Sequence, residues 1–280
     1  MKHRKFVNLN LAHHKILLWL IAFVITAASA VYQRRTGPTY PIEGKISIGD
    51  NIIPFSLLRS ETVDKDASVN ISVAEPAISG YVQFRRFKSD DDWTKLPLQR
   101  RGNELVAHLP QQPPAGKLIY FVYLENGRER VSLSGDKPVV LRYRGLVPDS
   151  ILITHVLLIF LAMLFSNRTA LEALDAKGKS YRYMLWTIGL FFVGGFILGP
   201  LMQKYAFGTY WTGIPLGTDL TDNKTLIAFL GWILAWFKNR KGRDGRGWIV
   251  FAALLMLTIY LIPHSILGSE LDYTKLSELP

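Results

Sequence analysis

The chain has 280 residues, 49% of them hydrophobic, and a formal net charge of +11, which is enough length for one large domain or two small ones. It has no cysteine, which excludes disulfides, covalent attachment of c-type haem, Cys-ligated zinc or iron–sulfur clusters and lipid attachment at Cys. Clustered Lys and Arg could serve a nucleic acid, but here they crowd the flanks of apolar runs, so no nucleic-acid partner is expected: Lys2, Arg4, Lys5 and Lys15, then Arg168, Lys177, Lys179 and Arg182, then Lys238, Arg240, Lys241, Arg243 and Arg246. Only Glu172, Asp175 and Asp244 oppose these thirteen, and this basicity reads as a membrane-topology signal.

The first apolar run, 16–32, comes after the basic leader and stops at Gln33, Arg34 and Arg35. Its seventeen residues sit at the lower limit for a span. A signal peptide is the competing reading, because Ala28-Ser29-Ala30 has the small-x-small form of a cleavage site. As an anchor, residues 1–35 form a cytoplasmic N-terminus and a first transmembrane helix, and both readings export the next hundred residues of chain.

Residues 36–146 read as that exported domain. Short runs alternate polar and apolar residues at 45–48, 52–59, 68–73, 81–87, 105–109, 117–124, 130–133 and 139–143, the period of half-buried strands. Asn126-Gly127 lies between two of them and predicts a hairpin, since both residues tolerate positive φ. Asp90-Asp91-Asp92 lacks the ligand alternation of a calcium loop and reads as a solvated turn. Arg85, Arg86 and Lys88 beside Arg100 and Arg101 read as a solvated strand face, with an acidic partner or anionic headgroups as the competing reading.

Tyr81-Val82-Gln83-Phe84-Arg85-Arg86, Trp93, Pro97-Leu98, Leu105-Val106-Ala107-His108-Leu109-Pro110, Pro114-Ala115-Gly116 and Tyr120-Phe121-Val122-Tyr123-Leu124-Glu125-Asn126-Gly127 together resemble a fibronectin type III or related immunoglobulin-like domain. The resemblance covers about Ile71 to Arg128. It implies an antiparallel β-sandwich used as a spacer or docking surface and implies no activity.

Residues 147–280 return to apolar sequence. Runs at 147–165, 183–202, 225–237 and 248–267 predict four more spans. The expected fold is therefore about five transmembrane helices, with an immunoglobulin-like sandwich inserted between the first two. With the N-terminus inside, the two basic loops also fall inside, so the β-domain and C-terminus lie outside. This arrangement suits a multi-pass protein of a cell inner membrane, with a periplasmic or extracellular domain and membrane lipid as a partner. The run 225–237 is short because Lys224 and Lys238 bracket it. Either both Lys snorkel from a short helix, or the helix begins within Asp219-Leu220-Thr221-Asp222-Asn223 and draws charge toward the membrane. Gly195 and Gly199 have the i, i+4 spacing of a close helix-packing face, and Gly199-Pro200 predicts a bend or an end.

An aromatic outer loop at 203–223 predicts either an interfacial belt, with Thr221 or Asp222 capping the next helix, or a site. In that site Tyr210, Trp211, Asp219, Asp222, Asn223 and Lys224 would bind a lipid headgroup, a quinone or a partner loop. His155 and His264 lie near the outer ends of two spans, where a pair of imidazoles could ligate b-type haem or a metal. Interfacial His bonded to carbonyls are the simpler reading. No nucleophile triad, zinc motif or phosphate loop is evident, so a non-catalytic role without a cofactor is expected. The leading expectation is an accessory or assembly subunit of a larger envelope complex, and the alternative is a redox or quinone-linked subunit with haem b.

Overall fold

The computed structural model describes residues 15–175, 178–240, 244–263 and 270–276. Lys2, Arg4, Lys5, Lys177, Lys241, Arg243 and His264 lie outside the described residues. The chain divides into a helical unit and a β unit.

Helix α1 spans Lys15–Thr36, α2 Asp149–Ala173, α3 Ser180–Phe192, α4 Gly199–Phe207, α5 Leu220–Asn239 and α6 Arg246–Leu261. A π-helical segment, Val193–Leu198, joins α3 to α4, so Ser180–Phe207 is one continuous helical rod. Three helices are long and apolar enough to cross a membrane: α1, α2 and this rod. The others differ, since α6 is a shorter apolar helix and the first two turns of α5 carry Asp222 and Lys224.

Large apolar side chains face outward on every helix: Phe23 and Val24 on α1, Ile153 and Leu157 on α2, Trp186 on α3, Ile227 and Leu230 on α5, Phe251 and Leu254 on α6. Water would not tolerate a patch of that extent, whereas lipid would. The interior is built from small residues, among them Ala22, Ala162, Ala228, Gly231, Ala235, Ala252 and Ala253, which let helix backbones approach. A Cβ on Gly231 would lie 2.9 Å from Leu255 Cδ2. Trp232 fills the centre, its Nε1 donating to Met256 Sδ at 3.2 Å.

Helix α2 continues two turns past the predicted end at 165, through Ser166, Asn167, Arg168, Thr169 and Glu172, all of them buried. Its packing makes this polar stretch tolerable. The Arg168 guanidinium lies 5.6 Å from the Trp19 ring centre and 4.8 Å from that of Tyr183, with Nη1 2.6 Å from Glu172 Oε2. Glu172 also accepts the Lys179 N–H at 2.9 Å. Asn167 donates to Thr26 of α1 at 3.0 Å, and Thr169 meets Thr187 of α3 at 3.3 Å. Polar side chains thus tie α1, α2 and α3 together where water is scarce.

Two further expectations are corrected. Gly199-Pro200 does not end its helix: the turn before it widens to the π form, and α4 continues to Phe207. Proline lacks an N–H and its ring crowds the carbonyl four residues back, a conflict that a widened turn relieves. The cap of the next helix is Asp219 and not Thr221 or Asp222, so α5 begins at Leu220, within 219–223, the second of the two starts expected for it.

The β unit comprises Pro38–Leu146 and Ala206–Gly208 together with the C-terminal segment. Its strands are β1 Ile42–Ile48, β2 Asn51–Leu57, β3 Ser60–Thr62, β4 Ala67–Ser72, β5 Ser79–Arg86, β6 Thr94–Pro97, β7 Gln99–Arg101, β8 Glu104–Leu109, β9 Lys117–Asn126, β10 Glu129–Ser132 and β11 Val139–Arg144. One sheet runs β3-β11-β9-β5-β6, with β10 also on β9; another runs β4-β8-β7; β1 and β2 form a separate hairpin. All these pairs are antiparallel except β3 with β11. Alternation decides the faces: Ala67, Val69 and Ile71 of β4, and Leu118, Tyr120, Val122 and Leu124 of β9, enter one core with Ile48, Leu57, Leu105, Val139 and Leu141. Each fully buried aliphatic contributes roughly 1.5–3 kcal/mol. Tyr120 and Tyr143 are buried in that core and donate to the Leu58 and Leu109 carbonyls; burial raises both phenols above the ordinary range.

The hairpin forms one residue later than predicted. Asn126 pairs with Glu129, so Gly127 and Arg128 make the loop, and only Gly127 takes positive φ, at 60°. Glycine in the first loop position suits a type II′ turn.

Candidate docking site

The aromatic loop between α4 and α5 folds against the start of α5. Asp219 accepts the Thr221 and Asp222 N–H groups at 2.7 and 3.3 Å, the bonding of an N-cap. Asp222 is buried, and its Oδ2 accepts Thr212 N–H at 2.6 Å, Thr212 Oγ1 at 3.2 Å and Gly213 N–H at 3.1 Å. Asn223 accepts the Ile214 N–H at 2.7 Å. Gly213 allows this closeness, since a Cβ there would lie 2.6 Å from Asp222 Cβ. Lys224 is buried and faces elsewhere, its Nζ donating to the Ile262 and Pro263 carbonyls at 2.9 and 3.3 Å. It therefore closes the end of α6, where free carbonyls concentrate negative potential. Trp211 stacks on Phe196 at 5.8 Å, and Tyr210 is exposed with Lys204 over its ring.

The structure thus brings Asp219, Asp222 and Asn223 together, but as ligands of the loop's own backbone, and assigns Lys224 to a helix end instead of snorkelling. The exposed tip of the loop is apolar, with Leu216 77% and Ile214 60% exposed.

His155 Nδ1 lies 3.0 Å from the Gly194 carbonyl, the backbone bond of the simpler reading. Gly195 and Gly199 differ in role. A Cβ on Gly195 would lie 3.0 Å from Thr225 Cγ2 of α5, whereas one on Gly199 would make only ordinary contacts at 3.6 Å and beyond. Gly194 is the second tight position, 3.0 Å from Ile159 of α2.

A cluster on the β unit joins Arg86 and Lys88, from the stretch that reads as a solvated strand face, to an acidic segment with no counterpart among the sequence expectations. Beyond α6, Glu270, Leu271 and Asp272 lead into one helical turn, α7, at Tyr273–Leu276. Leu271 N–H donates to the Ala115 carbonyl and Tyr273 N–H to that of Lys88, both at 3.1 Å. Glu270 meets Lys117 at 2.5 Å and also pairs with Lys88. Tyr273 is 6% exposed; its hydroxyl donates to Gln112 Oε1 at 2.8 Å, and Arg86 lies over its ring at 4.8 Å. Arg86 in turn makes two 2.6 Å bonds to Asp91, so the triple-aspartate turn positions this cation.

The electrostatics agree with the geometry. Burial raises the Glu270 carboxyl, but Lys117 and Lys88 outweigh it and hold the group below its ordinary range. Burial also disfavours the Lys117 ammonium and lowers it despite Glu270. Both partners shift downward because Glu270 gains two cations, whereas Lys117 loses more by burial than one carboxylate restores. The Tyr273 phenol is raised by burial.

The available sequence signal was Glu270-Leu271-Asp272-Tyr273, an acidic and aromatic cluster just beyond the last apolar run, complementary to the basic stretch at Arg85, Arg86 and Lys88. Compared with protein-family models, curated proteins and solved structures, the chain matches none, so its reading rests on these residues.

Proposed function

We propose that the chain is a non-catalytic, multi-pass membrane protein whose exported β-domain docks a protein partner, as an accessory or assembly subunit of an envelope complex. The observation that carries this reading is the formed seat on the β unit, built from Lys88, Gln112, Ala115, Gly116 and Lys117 and holding an acidic, aromatic peptide segment. Peptide capture through paired backbone bonds and flanking charges is a recurring mode of protein recognition.

The strand order supports an immunoglobulin-like sandwich. β4-β8-β7 corresponds to strands B-E-D, and β11-β9-β5 to G-F-C, in chain order. The seated segment supports the five-span topology. A segment after α6 that belongs to the β unit requires an even number of crossings between Val147 and Glu270, as the α2, α3–α4, α5 and α6 passages provide. α5 measures ~30 Å and α6 ~24 Å at 1.5 Å per residue, and lipid thins around short helices. Basic residues at both inner turns agree with an inward N-terminus.

Extraction of the native membrane in mild detergent, and then sizing, tests the subunit reading. A heteromeric particle is expected, and a monodisperse monomer without a bound protein would count decisively against it.

A further inference from the structure

We propose that residues 270–276 are an internal occupant of the seat, and that its external ligand is a protein segment presenting a carboxylate three residues before a tyrosine. This rests on the docking reading above and names the chemistry of the partner.

Three observations carry it. First, the seat is complete without the segment. Among the described residues, the polar and charged groups that meet Glu270, Leu271 and Tyr273 come from the β5 end and the turn after it (Arg86, Lys88) or from 112–117 (Gln112, Ala115, Lys117). Neither Leu271 nor Tyr273 joins the β core, so release leaves that core intact.

Second, among the described residues only Lys88 and Ala115 combine a side chain with positive φ, at 52° and 65°. Elsewhere the β unit uses glycine for that conformation, at Gly49, Gly102, Gly127 and Gly135. The two exceptions are the residues whose carbonyls receive the segment's alternate N–H groups. Strained backbone gathers where it presents a binding group.

Third, Lys117 is 6% exposed at its side chain, and release of Glu270 removes the carboxylate it contacts. That burial belongs to the seated state, so a segment lying over Lys117 without a carboxylate would leave the ammonium covered and unpaired, a costly arrangement, and the seat therefore selects an acidic occupant. Gly116 completes the fit, because a Cβ there would lie 2.5 Å from the Tyr273 hydroxyl.

The test uses the full chain in detergent and a labelled peptide of residues 269–280 as the probe. A tethered segment competes at high effective concentration, so the Glu270→Lys/Tyr273→Ala chain should bind the peptide at least about tenfold tighter than the unaltered chain. Adding Lys88→Glu, or replacing Glu270 and Tyr273 of the peptide by Ala, should abolish that binding. Equal affinity for both chains, or binding indifferent to these changes, overturns the proposal. A second measurement leaves the seat unaltered: a fluorophore on Lys275→Cys should gain rotational freedom when excess unlabelled peptide is added, and an unchanged anisotropy overturns the proposal. Exchange is read independently of the native particle. A segment that exchanges supports the seat whether or not a partner co-purifies, and one that does not exchange removes the seat even where a partner does.

Discussion

Glu270 carries the most directly testable charge in the chain. Facing it are Lys88 at the β5 end and Lys117 on β9, with Arg142 of β11 acting on Lys117 and Asp272 acting on Lys88. Its carboxyl titrates below its ordinary value of 4.5 when seated, so the seated form binds fewer protons than the released form in that window. Seating is therefore fully favoured above about pH 4.5 and is lost as the pH falls through the lowered value. The Lys275→Cys fluorophore should report release on acidification, and Glu270→Gln should flatten that transition while weakening seating at neutral pH. Lys224 makes a second prediction at this scale. Lys224→Met removes the ammonium from the end of α6 and should cost about 1.5–3 kcal/mol, read as a lower thermal midpoint in detergent. Asp219→Ala should cost only about 0.5–2 kcal/mol, the usual loss of a cap. A helix start within 219–223 was legible as one of two readings because capping acts between sequence neighbours, although the capping residue is Asp219 and not Thr221 or Asp222, whereas Lys117 and Glu270 are 153 positions apart and nothing local joins them.

Among the elements, the tie between α1, α2 and α3 rests on a charge that no water reaches. Arg168 is fully buried between two rings, with one carboxylate beside it. Removing one member of such a pair strands the other, at about 3–5 kcal/mol, whereas removing both charges is often nearly neutral. Arg168→Met alone should therefore destabilise the helical unit strongly, and Arg168→Met/Glu172→Gln should recover much of the loss, since Gln keeps an acceptor for the Lys179 N–H. Additive losses in thermal unfolding would contradict this coupling. The same polar stretch explains why the end of α2 was illegible: a hydropathy reading stops at Ser166, and Trp19 and Tyr183, from other helices, join Glu172 in making Arg168 tolerable within one. Alternation located eight strands, and β3, β6 and β7 escaped because three or four residues carry too little of the period. The choice between the two starts of α5 stayed open for a related reason, since Asp222 and Lys224 look like loop residues until their partners at Thr212 and Ile262 are known.

For the whole molecule, the orientation of the chain reduces to parity. The segment seated on the β unit must share its side of the membrane, and the basic loop before α6 must lie opposite if α6 crosses once. The absence of cysteine makes this measurable without background labelling. Asp136, Asp244 and Lys275 are exposed, the first in the turn before β11, the second before α6, the third in α7. Introduced singly, Asp136→Cys and Lys275→Cys should react with a membrane-impermeant maleimide on intact spheroplasts, and Asp244→Cys only after lysis. Reaction at all three before lysis would mean that α6 does not cross. Labelling of Asp244→Cys alone would invert the orientation and place the β-domain and its seat in the cell interior, where an exported partner could not reach them.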